Sequence, residues 1–90
     1  MPAMLEELVG QIVVVDLASP YVGLGKLTRV DEQFLELQDA DLHDLRDTAT
    51  SRENYVAASA ATGIKRNRQR VLVRRAEVVA VARLEDVVDE

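Results

Sequence analysis

Short runs of β-branched residues, separated by turn residues, occupy both ends of this 90-residue chain. Residues 10–40 contain three such runs, and residues 71–82 contain two more. β-branched side chains favour strands, whereas the Gly, Pro, Asp and Ser residues between the runs favour turns. The pattern predicts three short antiparallel strands followed, later in the chain, by two more. The expected fold is mainly β: a small, strongly bent five-stranded barrel of the SH3-like kind.

The first predicted strand carries apolar residues at consecutive positions. Residues 12–15 are Ile-Val-Val-Val, and Leu17 follows. Because successive side chains of a strand point to opposite faces, this run implies burial on both sides or a strand bent hard around a small barrel. Gly23 and Gly25 permit a bend or bulge in the next strand.

A short helix is predicted at about residues 3–8. Pro2 suits the first turn of a helix, and Gly10 suits its end. Apolar residues recur between them at helical spacing. We expect this helix to cover one open end of the barrel.

Residues 41–69 separate the two groups of strands and are predicted to form an insertion with a helix of its own. Thr50 and Glu53 have the spacing of a capping box, in which the Thr50 side chain caps a helix at about 51–62. Gly63 stands where that helix would end. The insertion thus places a helix before the last two strands.

The composition indicates one domain, residues 1–90, with a loose acidic tail at about 85–90. A chain of this length buries only about 60–65% of its unfolded surface. It contains no cysteine, and aromatic residues are 3% of the chain. Such a core is marginal alone, so we expect subunit association.

The overall charge gives no general attraction to nucleic acid. The net charge is -5, with an isoelectric point near 4.8. No apolar run approaches the roughly 18 residues of a membrane span, and no signal peptide is recognisable. We therefore expect a cytoplasmic protein with no membrane partner.

Catalytic residues are scarce, so no enzyme and no cofactor are expected. Cysteine is absent, His43 is the single histidine, and the serines lack the context of a nucleophile. His43 lies in a polar stretch and is predicted to be a solvated surface residue. A calcium loop over Asp39–Thr50 is rejected, because its turn position is Asp44 rather than glycine and its last position is Thr50 rather than glutamate. No metal site is predicted.

The strand pattern resembles the Sm-like (Lsm) family. The first family motif is matched in order by Gly10, Val13, Val15, Gly25, Leu27, Asp31, Leu37, Asp39 and Ala40. The second is matched by Val71, Leu72, Val73 and Arg74, and then by Val78, Val79 and Val81. The resemblance covers about residues 1–42 and 70–84. It implies an Sm-like barrel that assembles into a ring and, in many members, binds RNA.

This chain departs from the family pattern at three places. Leu35 is the nearest equivalent of an asparagine that hydrogen-bonds uracil in the family. Arg75 replaces the glycine after the motif arginine, Arg74. The 41–69 insertion replaces a tighter connection. The resemblance thus indicates a divergent member with altered RNA-binding positions and weak preference among bases.

A basic segment, residues 65–75, contains six cations and no acid. Arginines can pair with phosphates without recognising sequence, so the segment predicts an RNA contact. Two alternatives stay open: a contact with a protein partner or subunit, and neutralisation of Asp39, Asp41, Asp44 and Asp47. The candidate RNA-binding residues are Lys65, Arg66, Arg68, Arg70, Arg74 and Arg75.

The last two strands are the predicted oligomer interface, because the family pairs them between subunits. The candidate contact residues are Val71, Leu72, Val73, Val78, Val79 and Val81. The expected function is a non-catalytic, oligomerising Sm-like module that binds single-stranded RNA through its arginine-rich segment, with itself as the main partner. A structural or protein-interaction scaffold barrel, Sm-like or PRC-type and without a nucleic-acid role, remains the alternative.

Overall fold

Five antiparallel strands form one sheet in the computed structural model, which describes residues 3–47 and 49–88. The order across the sheet is β4-β3-β2-β1-β5, so β4 and β5 are its two edges. This confirms the predicted mainly β architecture. The strands are β1 (Ile12–Leu17), β2 (Tyr21–Val30), β3 (Phe34–Asp44), β4 (Arg68–Arg74) and β5 (Val78–Arg83).

One α-helix, α1 (Arg52–Thr62), lies between β3 and β4 within the described residues. The predicted N-terminal helix is present as a 3₁₀ helix, Met4–Leu8, whose Leu5 and Leu8 pack against the core. Pro2 lies outside the described residues. Further 3₁₀ turns are Leu45–Asp47, Arg75–Glu77 and Leu84–Asp86.

The sheet wraps around one hydrophobic cluster to which all five strands contribute. Val13 of β1, Leu27 of β2 and Leu37 of β3 are completely buried there. Val73 of β4 is buried in the same cluster, and Val81 of β5 packs against it. A flat sheet could not bring its two edge strands to one core, so these contacts show how strongly the sheet bends.

A second hydrophobic cluster lies on the opposite face of the sheet, beneath α1. Val14 of β1 and Leu24 of β2 meet Val56 of α1 there. Since Val13 and Val15 face the first cluster, β1 is buried on both faces, as its consecutive apolar residues predict. The helix therefore contributes to the hydrophobic core through Val56. Leu84, just before the predicted tail, and Val87, within it, also pack against this second cluster.

A β-bulge between β2 and β3 helps to bend the sheet. At one point Gly25 of β2 stands opposite two residues of β3, Asp39 and Ala40. Asp39 has a φ of 49°, a left-handed conformation that aspartate tolerates better than most residues. A Cβ atom built on Gly25 would lie 3.0 Å from the Ala40 Cβ and 3.0 Å from the Gln38 carbonyl oxygen. The close approach of the two strands thus requires glycine at position 25.

Replacing Gly25 with alanine should destabilise the fold, because the new methyl group meets backbone that cannot move independently. We expect Gly25→Ala to lower the free energy of unfolding by about 1–3 kcal/mol, measured by urea denaturation. Gly23→Ala is the matched control, since its Cβ would find the Leu37 side chain at 3.4 Å. Equal losses for the two variants would contradict this view of the bulge.

The segment between β3 and β4 comprises residues 45–67, rather than 41–69. β3 continues through Asp41–Asp44 because those residues pair with the start of β2, Tyr21 being opposite Asp44. β4 begins at Arg68, which pairs with Ala40. Backbone pairing therefore carries polar residues into both strands, where a hydrophobic pattern alone does not extend them.

The helix cap differs by one residue from the sequence prediction. Ser51 is the N-cap, and its hydroxyl oxygen accepts a hydrogen bond from the Asn54 amide at 3.2 Å. Thr50, the predicted cap, precedes it. The predicted end at Gly63 is correct: Gly63 has a φ of 96°, and its amide donates to the Ser59 carbonyl at 2.9 Å.

Removal of the Ser51 hydroxyl should therefore weaken α1. We expect Ser51→Ala to cost about 1 kcal/mol of stability, because one helix amide loses its acceptor. Thr50→Ala serves as the control and should cost less than half as much. Thermal unfolding monitored by circular dichroism measures both, and a larger effect at Thr50 would contradict the observed cap.

A buried polar network fastens α1 to the sheet. The Tyr55 hydroxyl donates to the carboxylate of Asp41, which is 2% exposed. The Asn67 side-chain amide donates to the same carboxylate at 3.1 Å. Burial, followed by the hydrogen bond to Asp41, raises the pKa of Tyr55. Tyr55 thus remains protonated and can keep donating to Asp41 throughout the physiological pH range.

His43 is not the solvated surface residue that its polar neighbours predict. Its ring stacks on Tyr55, with the ring centroids 4.0 Å apart and the planes 9° from parallel. Its Nε2 atom is buried and has no hydrogen-bond partner among the described residues. The prediction was wrong because α1, distant in sequence, covers this end of β3.

Candidate nucleic-acid interface

The loop between β2 and β3 and the turn between β4 and β5 lie side by side. The Arg75 amide donates to the Gln33 carbonyl at 2.8 Å. The Arg75 guanidinium donates to the Asp31 carbonyl at 2.8 Å. Two hydrogen bonds from one residue therefore join the two loops into a single surface at one end of the sheet.

Asp31 determines the conformation of the first of these loops. One carboxylate oxygen accepts hydrogen bonds from the amides of Gln33 and Phe34, each at 2.7 Å. Those two bonds are the main reason why the pKa of Asp31 is lower than its ordinary value of 3.8. The charged carboxylate thus stabilises the turn that positions Phe34.

Phe34 and Arg74 are the residues of this surface best suited to contact an unpaired base. They are direct partners in the β3–β4 ladder, with Phe34 half-buried and Arg74 exposed. Together with Glu32, Gln33 and Ala76 they line a shallow cleft of about 410 Å³. An aromatic ring and a guanidinium are both surfaces on which bases stack.

Arg74 was predicted from the sequence as a candidate, whereas Phe34 was missed. Phe34 is the single phenylalanine of the chain. Its sequence position, at the start of a predicted strand, is typical of a core residue. Phe34 lies beside Arg74 because of the register of the β3–β4 ladder, which the sequence does not reveal.

Leu35, taken from the sequence as the nearest equivalent of the uracil-binding asparagine, lies in the hydrophobic core. It is completely buried in the first cluster and pairs with Val73. A buried leucine cannot reach a ligand or donate a hydrogen bond. Phe34, one residue earlier, is the residue that this strand presents near the surface.

The basic segment is divided between several environments. Arg66 forms an ion pair with Asp39 at 2.6 Å, in which both side chains are exposed. The Arg70 guanidinium lies 2.6 Å from the carboxylate of Glu36, a buried residue. A hydrogen bond from Thr28, followed by one from Arg70, lowers the pKa of Glu36. Arg66 and Arg70 therefore have carboxylate partners within the same chain.

The other four cations of the segment have no carboxylate partner among residues 3–47 and 49–88. They are Lys65, Arg68, Arg74 and Arg75, of which Arg75 donates to the Asp31 carbonyl. The guanidinium of Arg68 donates to the Asn67 carbonyl at 3.1 Å. Arg68 and Arg74 begin and end β4, about 20 Å apart at the usual rise of a strand. The six candidate residues thus do not form one continuous patch.

The neighbouring aspartates are only partly neutralised by this segment. Asp39 is paired with Arg66, as that alternative expects. Asp41 accepts from Tyr55 and Asn67 instead. The Arg46 side chain, through its hydrogen bonds, lowers the pKa of Asp44 to about 2.

Of the six predicted interface residues, four face the protein's own core. Leu72 and Val79 are the two that are well exposed, at 48% and 68%. The remaining four, Val71, Val73, Val78 and Val81, pack in or against the first cluster. Contacts of these strands with another chain would therefore be made by the edge backbone together with Leu72 and Val79.

A larger cleft of about 560 Å³ lies between α1 and the C-terminal 3₁₀ turn. Alanines of α1, together with Ile12, Leu84 and Val87, form most of its wall. It contains no basic or aromatic side chain, so it is not a candidate for binding nucleic acid.

Solved structures with this architecture include Sm and Sm-like proteins. An Sm protein from Pyrococcus abyssi, solved in complex with a uridine heptamer, superposes with a TM-score of 0.60 at 16% identity, covering 91% of this chain and 99% of its own. An Sm-like protein from Archaeoglobus fulgidus has a TM-score of 0.60 at 20% identity, covering 92% and 96%. No family model matches the sequence, and no curated protein matches it significantly. The chain has an Sm-like fold, as its motifs predict.

The described residues contain no helix that is both long enough and apolar enough to cross a membrane.

Acidification should loosen the loop that Asp31 organises. An aspartate with a lowered folded pKa stabilises the structure above its unfolded pKa and loses that contribution as pH falls through the folded pKa. We expect the protection factors of the Gln33 and Phe34 amides, which compare exchange with the intrinsic rate at the same pH, to fall below about pH 4. In Asp31→Asn those protection factors should be low at neutral pH as well. Unchanged protection in that variant would show that the carboxylate does not hold the turn.

Proposed function

We propose that this protein is a non-catalytic Sm-like module of the cytoplasm that assembles into a ring-like homo-oligomer and binds single-stranded RNA. The observation that carries the proposal is the combination of two open sheet edges with an adjoining surface that presents Phe34 and Arg74.

The unpaired edges support assembly. Among the residues that the structure describes, β4 pairs with β3 alone and β5 with β1 alone, so the outer side of each strand has free backbone donors and acceptors. Exposed edges of this kind are templates for another strand. The exposed Leu72 and Val79 add apolar surface at the two edges. A second copy of the chain offers both complementary edges at once.

The linked loops support RNA binding. Phe34 and Arg74 line one cleft, and Arg75 holds the loops that frame it. A structural neighbour with the same fold was solved with a uridine heptamer bound. Because Leu35, the nearest equivalent of the uracil-binding asparagine, is buried in the core, we expect stacking and phosphate contacts to dominate over base recognition.

Titration of fluorescent single-stranded RNA at low salt tests this function. The wild-type protein should bind, and its affinity should fall steeply with salt if cations contact phosphates. Phe34→Leu keeps an apolar side chain but removes the stacking ring. It should lose about 1–3 kcal/mol of binding energy for each base that stacks. Arg74→Ala should weaken single strands more than duplex, because only unpaired bases stack.

Lys26→Ala is the matched control, since it removes an exposed charge from β2, away from the loops. It should bind as the wild type does. The native mass of each variant is measured in parallel, so that loss of assembly is not mistaken for loss of binding. A flat signal up to tens of micromolar wild-type protein would contradict RNA binding.

A scaffold barrel without a nucleic-acid role is the second candidate. The net charge of -5 and the ion pairs that occupy Arg66 and Arg70 favour it. This candidate expects assembly without RNA binding in the same titration.

A further inference from the structure

We propose that the groove between α1 and the outer face of β1 is a docking site for another protein, and that this chain's own C-terminal segment, residues 84–88, occupies part of it. The partner that fits is an acidic segment with bulky apolar residues three positions apart. Neither Phe34 nor Arg74 borders the groove, so the inference depends neither on RNA binding nor on assembly.

Two apolar side chains hold the C-terminal segment in the groove. Leu84 and Val87 are half-buried and pack against the second hydrophobic cluster. They lie three positions apart around the 3₁₀ turn Leu84–Asp86, a spacing that places side chains on the same side of such a turn. Within residues 3–47 and 49–88, no hydrogen bond joins the segment to α1 or to β1. The segment is therefore attached mainly by these two contacts.

Two clefts adjoin the C-terminal segment. Val87 borders both the cleft of about 560 Å³ described above and a second cleft of about 240 Å³. Val14 of β1 and Val56 of α1 line the second cleft. Protein interiors are normally packed with few voids larger than a water molecule. The C-terminal segment thus fills the groove incompletely.

The unfilled part of the groove has apolar walls. Ile12 of β1 is 46% exposed, and the exposed Ala60 and Ala61 of α1 line the same cleft. The small side chains of the alanines leave room for larger ones. A segment with leucine-sized residues would bury this apolar surface, which is favourable. The geometry therefore fits a bulkier segment than the one in place.

The charges beside the groove determine the polarity of the partner. Arg83, at the end of β5, pairs with Glu85 at 3.2 Å and with Asp86 at 2.9 Å. Both carboxylates belong to the C-terminal segment, and no other carboxylate pairs with Arg83 in the part of the chain that the structure describes. Displacement of the segment thus leaves a cation at the rim of the groove. Carboxylates of the incoming segment would replace the lost partners, so an acidic segment fits best.

The C-terminal segment acts as an intramolecular competitor for this site. Its attachment to β5 gives it an effective concentration that is in the millimolar range for short flexible connections. A partner must therefore make more contact than Leu84 and Val87 do before it displaces them. Segments that fit only as well as the chain's own are excluded, which makes the site selective.

Peptide binding to the full-length protein tests the inference. One fluorescent peptide copies residues 82–90, and a second, the leucine peptide, carries Val87→Leu with Val88→Leu. The leucine peptide should bind more tightly, by about fourfold for each methylene that it buries. A third peptide, with Leu84→Ser and Val87→Ser, is the negative control. Fluorescence anisotropy measures the three dissociation constants.

Weakening the competitor within the protein should strengthen binding of the leucine peptide. Val87→Ser in the protein removes one of the two apolar contacts of the C-terminal segment. We expect the dissociation constant of the leucine peptide to fall about tenfold, which corresponds to about 1.4 kcal/mol. Val88→Ser is the matched control, because Val88 is the adjacent valine but is 73% exposed. It should bind the leucine peptide as the wild type does.

The outcomes decide between occupants of the groove. No binding of the leucine peptide to the Val87→Ser protein, or an equal gain in both variants, would overturn the inference. Equal or tighter binding of the peptide that copies residues 82–90 would show that the groove takes this chain's own segment, from a second copy, and would overturn the proposed partner. RNA binding by the Val87→Ser protein should match that of the wild type, so these results leave the proposed function standing.

Should the Val87→Ser protein fail to fold by circular dichroism, the wild type decides. Millimolar leucine peptide should shift the NMR amide signals of Ala57, Ala60 and Ala61, which line the groove. The amide signals of Leu84 and Val87 should move toward those of an unstructured chain, because their segment leaves the groove. Unchanged signals at both places would overturn the inference.

Discussion

The structure depends on a sheet that bends far enough to enclose its core but leaves its two edge strands, β4 and β5, unpaired with each other. Side chains from all five strands meet in one cluster, and the bulge at Gly25 and Asp39 bends the long hairpin between them. Strand β1, buried on both faces, then places α1 against the outer side of the sheet. Closure within one chain would have satisfied both edges. Because it does not occur, the backbone of β4 and β5 remains available to another strand.

The bend also determines where the basic residues lie. It brings the turn after β4 next to the loop after β2, where Arg75 joins the two loops and Arg74 stands across from Phe34. Meanwhile β3 supplies carboxylates to Arg66 and Arg70. A segment that is uniformly basic in sequence is thereby divided into charges neutralised within the chain and charges that remain free. Arg74 has no carboxylate partner within residues 3–47 and 49–88, and the proposed RNA contact depends on it.

Much of the fold could be predicted from the sequence, because consecutive β-branched residues, the helix-ending glycines Gly10 and Gly63, and the Sm-like motifs are local signals. The strand ends were underestimated, since His43 and Arg68 join strands through backbone pairing that polar side chains do not reveal. The helix is capped by Ser51 rather than by the predicted Thr50. The two are adjacent hydroxyl residues, and which of them caps the helix depends on where the helix docks. Phe34 was missed, and the environment of the half-buried His43 was predicted wrongly, for a common reason: the surroundings of each are set by a residue distant in sequence, Arg74 and Tyr55 respectively.

The central claim is that the open edges of β4 and β5 bind other copies of the chain. The mass of the intact protein in solution tests this claim most directly, because such binding must produce an assembly. Light scattering over a range of concentrations into the high micromolar should give a single mass that is a whole-number multiple of the 10.0 kDa chain. Leu72→Pro, which removes one backbone donor from the β4 edge strand, should lower that mass. A stable, soluble monomer at the highest concentration would contradict the account.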